Sequence, residues 1–144
     1  MMMTKQPITK KLRISAETAW NAIRNLDRLD VWFPFIQTCQ LEGRGSGTLR
    51  YMTTAEGGEI TDTIEEIDDG NRRLVYLRPV SPFPVNSYRG TVEVFSSYDG
   101  LAIVVWTIDF ESKSDDAASI AEIVYAAISD GIDGMEKDLM TRGD

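Results

Sequence analysis

The segment from residue 114 to residue 140 limits most strongly how this chain can fold. In "SDDAASIAEIVYAAISDGIDGMEKDLM", apolar side chains recur at helical spacing along one stripe. The stripe consists of Ala117, Ala121, Val124, Ile128, Met135 and Leu139. Its roughly 25 residues correspond to a helix of about 37 Å, which can cover a whole β-sheet. We predict that Ser114 caps this helix, with acidic residues in its first turn.

The segments before the helix alternate between apolar and polar residues, which is the period of β-strands. Strands are predicted at residues 6–14, 36–42, 47–55, 59–68, 72–79, 87–97 and 101–112. The connecting sequences "EGGE", "DDGN" and "YDGL" favour tight hairpin turns. After the first strand, Ser15 can cap a short helix. A second short helix at about 27–31 should end before Pro34, because the residue preceding proline avoids helical angles.

These elements predict one α+β domain over residues 1–144. In it, a curved antiparallel sheet of six or seven strands wraps around the C-terminal helix, and two short helices follow the first strand. A sheet that curls around a single helix often cannot close on it tightly. We therefore expect a cavity between sheet and helix.

Composition excludes several classes of protein and site. The chain has no histidine and only one cysteine, Cys39, which excludes histidine-dependent triads, histidine zinc sites and an intrachain disulfide. We expect no metal and no cofactor. A net charge of −8 with scattered Lys and Arg argues against nucleic acid as a partner. Neither a secretory signal nor an integral membrane segment is evident, so we predict a cytoplasmic protein; its oligomeric state stays open.

Several segments, in this order, resemble one known superfamily. They are "ISAETAWNAIRNLDRLDVWFP", "LEGRGSGTLRY", "ITDTIEEIDDGNRRLVY", "YRGTVEV" and "WTIDF". The sequence is similar over nearly its whole length to the START-related helix-grip superfamily, nearest its bacterial polyketide cyclase/dehydrase and lipid-transport branch. The resemblance implies a ligand cavity between the long helix and the concave sheet face. Members carry lipids, hormones, quinones or polyketides, and a minority catalyse, so the fold alone does not choose a function.

Alternation along each strand predicts which side chains face this cavity. The inner-face residues that we expect to bind the ligand are Tyr51, Asp62, Tyr88, Gly90 and Trp106, together with Ile128 of the helix. Periodicity is ambiguous in residues 72–79. There the resemblance implies that Tyr76 and Arg78 point inward.

Asp62, Arg78 and Tyr88 form the most informative polar group, because a carboxylate in an apolar cavity must be paired or hydrogen-bonded. A catalytic hypothesis makes Asp62 a base and Tyr88 a proton donor for an aldol cyclisation or dehydration. The structural alternative has Asp62 exposed at a strand edge or simply paired with Arg78.

The aromatic corner "WFPF" has two interpretations. Trp32, Phe33 and Phe35 either seal the core or form a rim of the pocket, and we expect Trp32 or Phe33 to be partly exposed. Phe83, in a proline-stiffened loop, is a second candidate for the mouth of the pocket.

Two sets of glycines also invite a functional interpretation. Gly43, Gly45 and Gly47 lead into a strand and not into a helix, so they predict a turn and not a phosphate-binding loop. The resemblance implies that this hairpin lies beside the cavity entrance. Gly131 and Gly134 in the last helix indicate close packing or room for a ligand.

Three functional hypotheses remain from the sequence. The leading one is binding of a small hydrophobic or amphiphilic molecule. The second is a polyketide cyclase or dehydratase that uses a carboxylate and a tyrosine. The third is a module whose aromatic corner docks a protein or a membrane surface.

Overall fold

A computed structural model describes residues 1–142. Its elements are β1 (Met2–Ser15), α1 (Ala16–Arg24), α2 (Leu29–Trp32), β2 (Ile36–Glu42), β3 (Leu49–Thr54), β4 (Glu59–Asp68), β5 (Arg73–Val80), β6 (Ser87–Ser96), β7 (Leu101–Ser112) and α3 (Ser114–Thr141). The predicted element order is confirmed, although β1 begins four residues earlier than expected.

All seven strands form one curved antiparallel sheet with the order β1-β7-β6-β5-β4-β3-β2. Hairpins connect consecutive strands from β2 to β7, and β1 pairs with β7. The helix α3 packs against β1, β7 and α2 and buries one stripe of apolar side chains, including Val124, Ile132 and Leu139. The α+β helix-grip fold predicted from the sequence is therefore confirmed.

Strand β7 shows how alternation builds the core. Every second residue from Ala102 to Ser112 is buried, whereas the residues between them are half-buried on the outer face. Trp106 of β7 and Tyr88 of β6 both point inward, as predicted. Because a strand has a period of two, this fixes the side of the sheet on which all their neighbours lie.

The predicted register of β3 is wrong. Arg50, Met52 and Thr54 are buried, whereas the Tyr51 side chain is 40% exposed and its hydroxyl lies 3.2 Å from a carboxylate oxygen of Glu42. The physical reason is that an arginine occupies the inner face, where it finds a buried carboxylate. Tyr51 therefore lies on the outer face of the sheet and not on the predicted inner face.

Trp32 and Phe33 of the aromatic corner are part of the core, whereas Phe35 is half-buried and lines a cleft. Trp32 and Phe33 are each only 2% exposed, so the expectation that one of them would be partly exposed is wrong. A Cβ at Gly131 would overlap the Phe33 ring, and a Cβ at Gly134 would overlap the carbonyl oxygen of Trp32. The two glycines thus serve close packing of α2 on α3, one of the two interpretations that the sequence allowed.

Polar contacts reinforce this attachment of α3. Lys10 of β1 donates to the Ser129 carbonyl oxygen and to Asp133, and Arg13 pairs with Glu136. Arg28 and the indole Nε1 of Trp32 both donate to the carboxylate of Asp138, at 2.7–3.0 Å. These contacts fall in the C-terminal half of the helix.

Two capping and turn predictions have different outcomes. Ser15 caps α1 as expected, accepting a hydrogen bond from the Thr18 backbone N–H at 3.1 Å. Ser114 does not cap α3, because the helix already begins at Ser114 and its N-cap residue, Lys113, makes no side-chain cap bond. The Ser114 prediction therefore placed the helix start one residue too late.

The glycine-rich hairpin is a turn, as predicted. Gly43, Gly45 and Gly47 have φ values of +100°, +64° and +90°. Residues other than glycine rarely adopt this backbone conformation. The turn joins β2 to β3 at the end of β3 where Leu49 pairs with Glu42.

Candidate functional site

The polar centre of the core is a cluster of three charged residues, Arg50, Asp62 and Arg78, which we call the arginine cluster. Each is contributed by the inner face of a neighbouring strand, β3, β4 or β5. Nε and Nη2 of Arg50 donate to one oxygen of Asp62 at 3.1 and 2.7 Å. Nε of Arg78 donates to the other oxygen at 2.7 Å, and its Nη2 lies 3.3 Å from the first. One buried carboxylate is thus shared by two guanidinium groups.

This arrangement keeps Asp62 ionised. Burial by itself would raise the pKa of a carboxyl group, but the charges and hydrogen bonds of Arg78 and Arg50 outweigh it and hold the pKa of Asp62 below its ordinary value. A carboxylate whose two oxygens accept four hydrogen bonds is a weak proton acceptor. The geometry therefore gives Asp62 the character of a structural counter-ion.

Aromatic rings line the arginine cluster. The Arg50 guanidinium lies 5.1 Å from the centre of the Tyr76 ring, and the Arg78 guanidinium lies 4.8 Å from that of Tyr88. Contacts of this kind stabilise a cation over a ring face. The hydroxyl of Tyr76 accepts a hydrogen bond from the indole Nε1 of Trp106 at 3.0 Å. The rings thus connect the buried charges to the apolar core.

Gly90 does not open onto a void. It pairs with Tyr76 across β5 and β6, and a Cβ at this position would overlap the Tyr76 ring. The ring therefore occupies the space that the missing side chain leaves. The expectation that Gly90 borders open space on the inner face is wrong, because the Tyr76 ring covers it.

A backbone carbonyl completes the arginine cluster. Nη1 of Arg50 donates to the carbonyl oxygen of Leu26 at 3.3 Å. Leu26 follows α1, is buried and has a φ of +69°, a conformation that is uncommon for a leucine. This local backbone conformation directs the carbonyl oxygen toward the guanidinium of Arg50.

An apolar cleft opens at one end of the sheet, and we call it the mouth cleft. Its volume is about 420 Å³. It is lined by Phe35, Thr54, Ala55, Glu56, Pro82, Phe83, Ile123 and Ala127. Ile123 of α3 is 51% exposed, so apolar surface remains open to solvent there. Pockets of this size and character are typical of small-molecule sites.

The topology explains why these residues meet. The β3–β4 turn at residues 55–58, the β5–β6 loop at residues 81–86 and the start of α3 all lie at the same end of the antiparallel sheet. The glycine turn at residues 43–47 lies at the other end of β3. The placement of that turn beside the entrance, which the resemblance implied, is therefore wrong for the mouth cleft.

Phe83 joins the mouth cleft to the polar centre. Its ring stacks with that of Tyr88, with centroids 6.5 Å apart and an interplanar angle of 18°. Tyr88 and Arg78 also line a second cleft, of about 320 Å³, where the start of β6 separates from the end of β5. Phe83 thus lies over the polar group that the sequence singled out.

The structure sorts these sequence-predicted residues into four groups. Asp62, Arg78 and Tyr88 come together as expected, and Phe83 lies at the mouth. Trp32, Tyr76, Trp106 and Ile128 are buried in the packed core. Trp106 contacts the edge of the Phe33 ring at a centroid distance of 5.6 Å. Tyr51 lies on the outer face.

Sequence reasoning missed Arg50, which completes the arginine cluster, and Ile123 and Ala127, which line the mouth. The hairpin register could have revealed Arg50. The β3–β4 hairpin is centred on Glu56, and this register places Arg50 directly opposite Asp62. No sequence pattern indicated Ile123 and Ala127, because they lie beside the buried stripe of α3 and not on it.

Comparisons with known proteins were made for sequence and structure. No curated protein matches the sequence. Among solved structures, an uncharacterised protein from Bacillus thuringiensis has a TM-score of 0.81 at 23% identity, and the match covers 95% of this chain and 99% of the other. A solution NMR structure from Thermobifida fusca has a TM-score of 0.83 at 22% identity, with 94% and 92% coverage. The protein XoxI from Bacillus cereus has a TM-score of 0.82 at 22% identity, with 100% and 99% coverage.

These structural neighbours share the fold. Within residues 1–142, none of the helices has both the length and the apolar character that crossing a bilayer requires. A family model described as "Polyketide cyclase / dehydrase and lipid transport" matches residues 3–139. The match spans β1, the whole sheet and nearly all of α3. The chain therefore belongs to the polyketide cyclase/dehydrase and lipid transport family.

Proposed function

We propose that the protein binds a small, mostly apolar molecule in the mouth cleft. The observation that carries the proposal is an apolar cleft of about 420 Å³ at the open end of the sheet, with Phe35, Phe83 and Ile123 in its walls. Removing apolar ligand surface from water supplies the binding free energy. The family to which the chain belongs includes lipid transport, which supports this function.

The position of Phe83 suggests how the site takes up a ligand. The residue lies in a loop that contains Pro82 and Pro84, between the mouth cleft and Tyr88. Rotation of its ring away from Tyr88 would extend the mouth cleft toward the arginine cluster. We assign Phe83 the role of a gate.

The two other hypotheses from the sequence receive less support. A cyclase or dehydratase that uses Asp62 as a base would need a free carboxylate, whereas this one is held between Arg50 and Arg78. A docking module built on the aromatic corner would need an exposed Trp32, whereas this side chain is buried and donates to Asp138. Ligand binding is the function that the geometry supports best.

Thermal melting with a panel of fatty acids, quinones, aromatic polyketides and isoprenoids tests the proposal. A ligand at about a hundred times its dissociation constant adds roughly 2.7 kcal/mol to the free energy of unfolding. Each kcal/mol raises the midpoint of a domain of this size by about 2–4 °C. We therefore expect at least one class to raise the midpoint by about 5–10 °C.

A pair of matched variants shows whether the hits bind in the mouth cleft. Ala127→Phe places a ring in the cleft and should abolish the shift. Ala126→Phe makes the same change at the preceding residue of α3, which is exposed and does not line the cleft, and this variant should keep the shift. If Ala127→Phe responds as the parent does, or if no class shifts the melt, the proposal is wrong.

A further inference from the structure

The interior carries an excess of positive charge. Among residues 1–142, three charged residues are buried: the guanidinium groups of Arg50 and Arg78 and the single carboxylate of Asp62. Two positive charges face one negative charge, although the chain as a whole has a net charge of −8. A buried charge is costly unless it is paired. The rings of Tyr76 and Tyr88 stabilise the guanidinium charges, but less than a second carboxylate would.

Arg78 has a hydrogen-bond donor that no residue of the described chain uses. Its Nε and Nη2 both bind Asp62, whereas its Nη1 has no hydrogen-bond partner within the described residues. Arg50 differs, because its Nη1 is used by the Leu26 carbonyl oxygen. Arg78 also lines the second cleft, whose walls do not include Arg50. One donor of a buried guanidinium therefore remains available beside accessible space.

Tyr88 supplies a second donor at the same place. It lines the same cleft as Arg78, and its hydroxyl has no hydrogen bond within residues 1–142. Burial, the largest cause, raises the pKa of the hydroxyl above its ordinary value, so the group stays protonated at neutral pH. A protonated hydroxyl and a guanidinium side by side are complementary to a carboxylate or another oxyanion.

We propose that the ligand is an anionic amphiphile whose acidic group binds Nη1 of Arg78 and the hydroxyl of Tyr88, and whose apolar body lies in the mouth cleft once the Phe83 ring has turned away from Tyr88. The inference rests on the proposed function and narrows its ligand class. A bound anion would bring the buried charges to two positive and two negative.

A matched pair of probes tests the charge requirement. Decanoate and 1-decanol have the same apolar chain, and only decanoate is charged at pH 7.5. We expect isothermal titration calorimetry to show that the parent binds decanoate at least about tenfold more tightly, as charge-assisted hydrogen bonds imply. Equal affinities would overturn this inference and leave the proposed function intact. Binding of neither probe would overturn the inference, whereas the panel of ligand classes tests the proposed function separately.

Variants locate the acidic group. Arg78→Gln should abolish the preference for decanoate and retain decanol binding, since Arg50 still pairs with Asp62. Arg89→Gln is the matched control: it changes the net charge equally but lies on the exposed face, near Glu65, and should keep the preference. A preference that survives in Arg78→Gln would place the anion elsewhere and refute the assignment.

Tyr88→Phe provides an independent test if Arg78→Gln does not fold. It keeps the ring that contacts Phe83 and Arg78 and removes only the hydroxyl. We expect a several-fold loss of decanoate affinity with no change for decanol. An unchanged ratio of the two affinities would contradict the proposed geometry.

Discussion

Replacing Asp62 with asparagine tests the arginine cluster most directly. The side chain keeps its size, but the one carboxylate that accepts four hydrogen bonds from two guanidinium groups is lost. Leaving a buried charge without its partner costs about 3–5 kcal/mol, and here two such charges remain. For a domain whose stability is about 5–15 kcal/mol, the loss is a large fraction of the total. At about 2–4 °C per kcal/mol, the midpoint should fall by roughly 6–20 °C.

Arg78→Gln is the comparison that distinguishes charge pairing from simple loss of hydrogen bonds. It also removes two hydrogen bonds to Asp62 but leaves the carboxylate paired with Arg50 at 2.7 Å. We expect the free energy of unfolding to fall by about 1.5–3 kcal/mol. Urea unfolding followed by tryptophan fluorescence and circular dichroism measures both variants. A smaller loss for Asp62→Asn than for Arg78→Gln would refute the reasoning.

Three further predictions follow from the core and the cluster. The folded structure holds the pKa of Asp62 below its ordinary value of 3.8, so ionised Asp62 contributes stability above pH 3.8, and this contribution is lost as the pH falls through the folded pKa. Acid unfolding of the parent should show this loss of stability, and Asp62→Asn should not. Gly134→Ala should lower the free energy of unfolding by about 1–2 kcal/mol, because overlap with the Trp32 carbonyl outweighs the gain in helix propensity; a variant more stable than the parent in urea would contradict this. Trp106→Ala should cost about 3–5 kcal/mol and Tyr51→Ala less than about 0.5 kcal/mol, and equal losses in the same assay would contradict the observed register.

The sequence predicted the fold well because its signals are regular. Strict alternation in β7 and the hairpin turns determine a sheet, and the α3 stripe provides its cover. Alternation failed in β3, where Leu49 and Tyr51 look more apolar than Arg50 and Met52. An arginine faces inward there only because Asp62 lies opposite it on β4, and single-strand periodicity does not contain that information.

The candidate site was predictable only in part. Asp62 was identified as buried because Ile60 and Ile64 flank it at a spacing of two. The contact of Gly90 with Tyr76 depends on the pairing of β5 and β6, and the mouth cleft depends on where two loops and α3 meet. Such features arise from tertiary packing between residues far apart in sequence. A pattern within one segment cannot specify them.

The uneven attachment of α3 has a consequence for how the protein moves. Gly131, Gly134 and Asp138 fix its C-terminal half to α2, whereas Ile123 and Ala127 in the preceding turns border open space. Amide hydrogen exchange should therefore be slowest beyond Ser129 and faster across the turns around Ile123. Widening of the entrance then involves local loosening of one helix end and the adjacent loops, with no need for the core to separate. A bound molecule would slow exchange in those same turns and leave the fixed half unchanged.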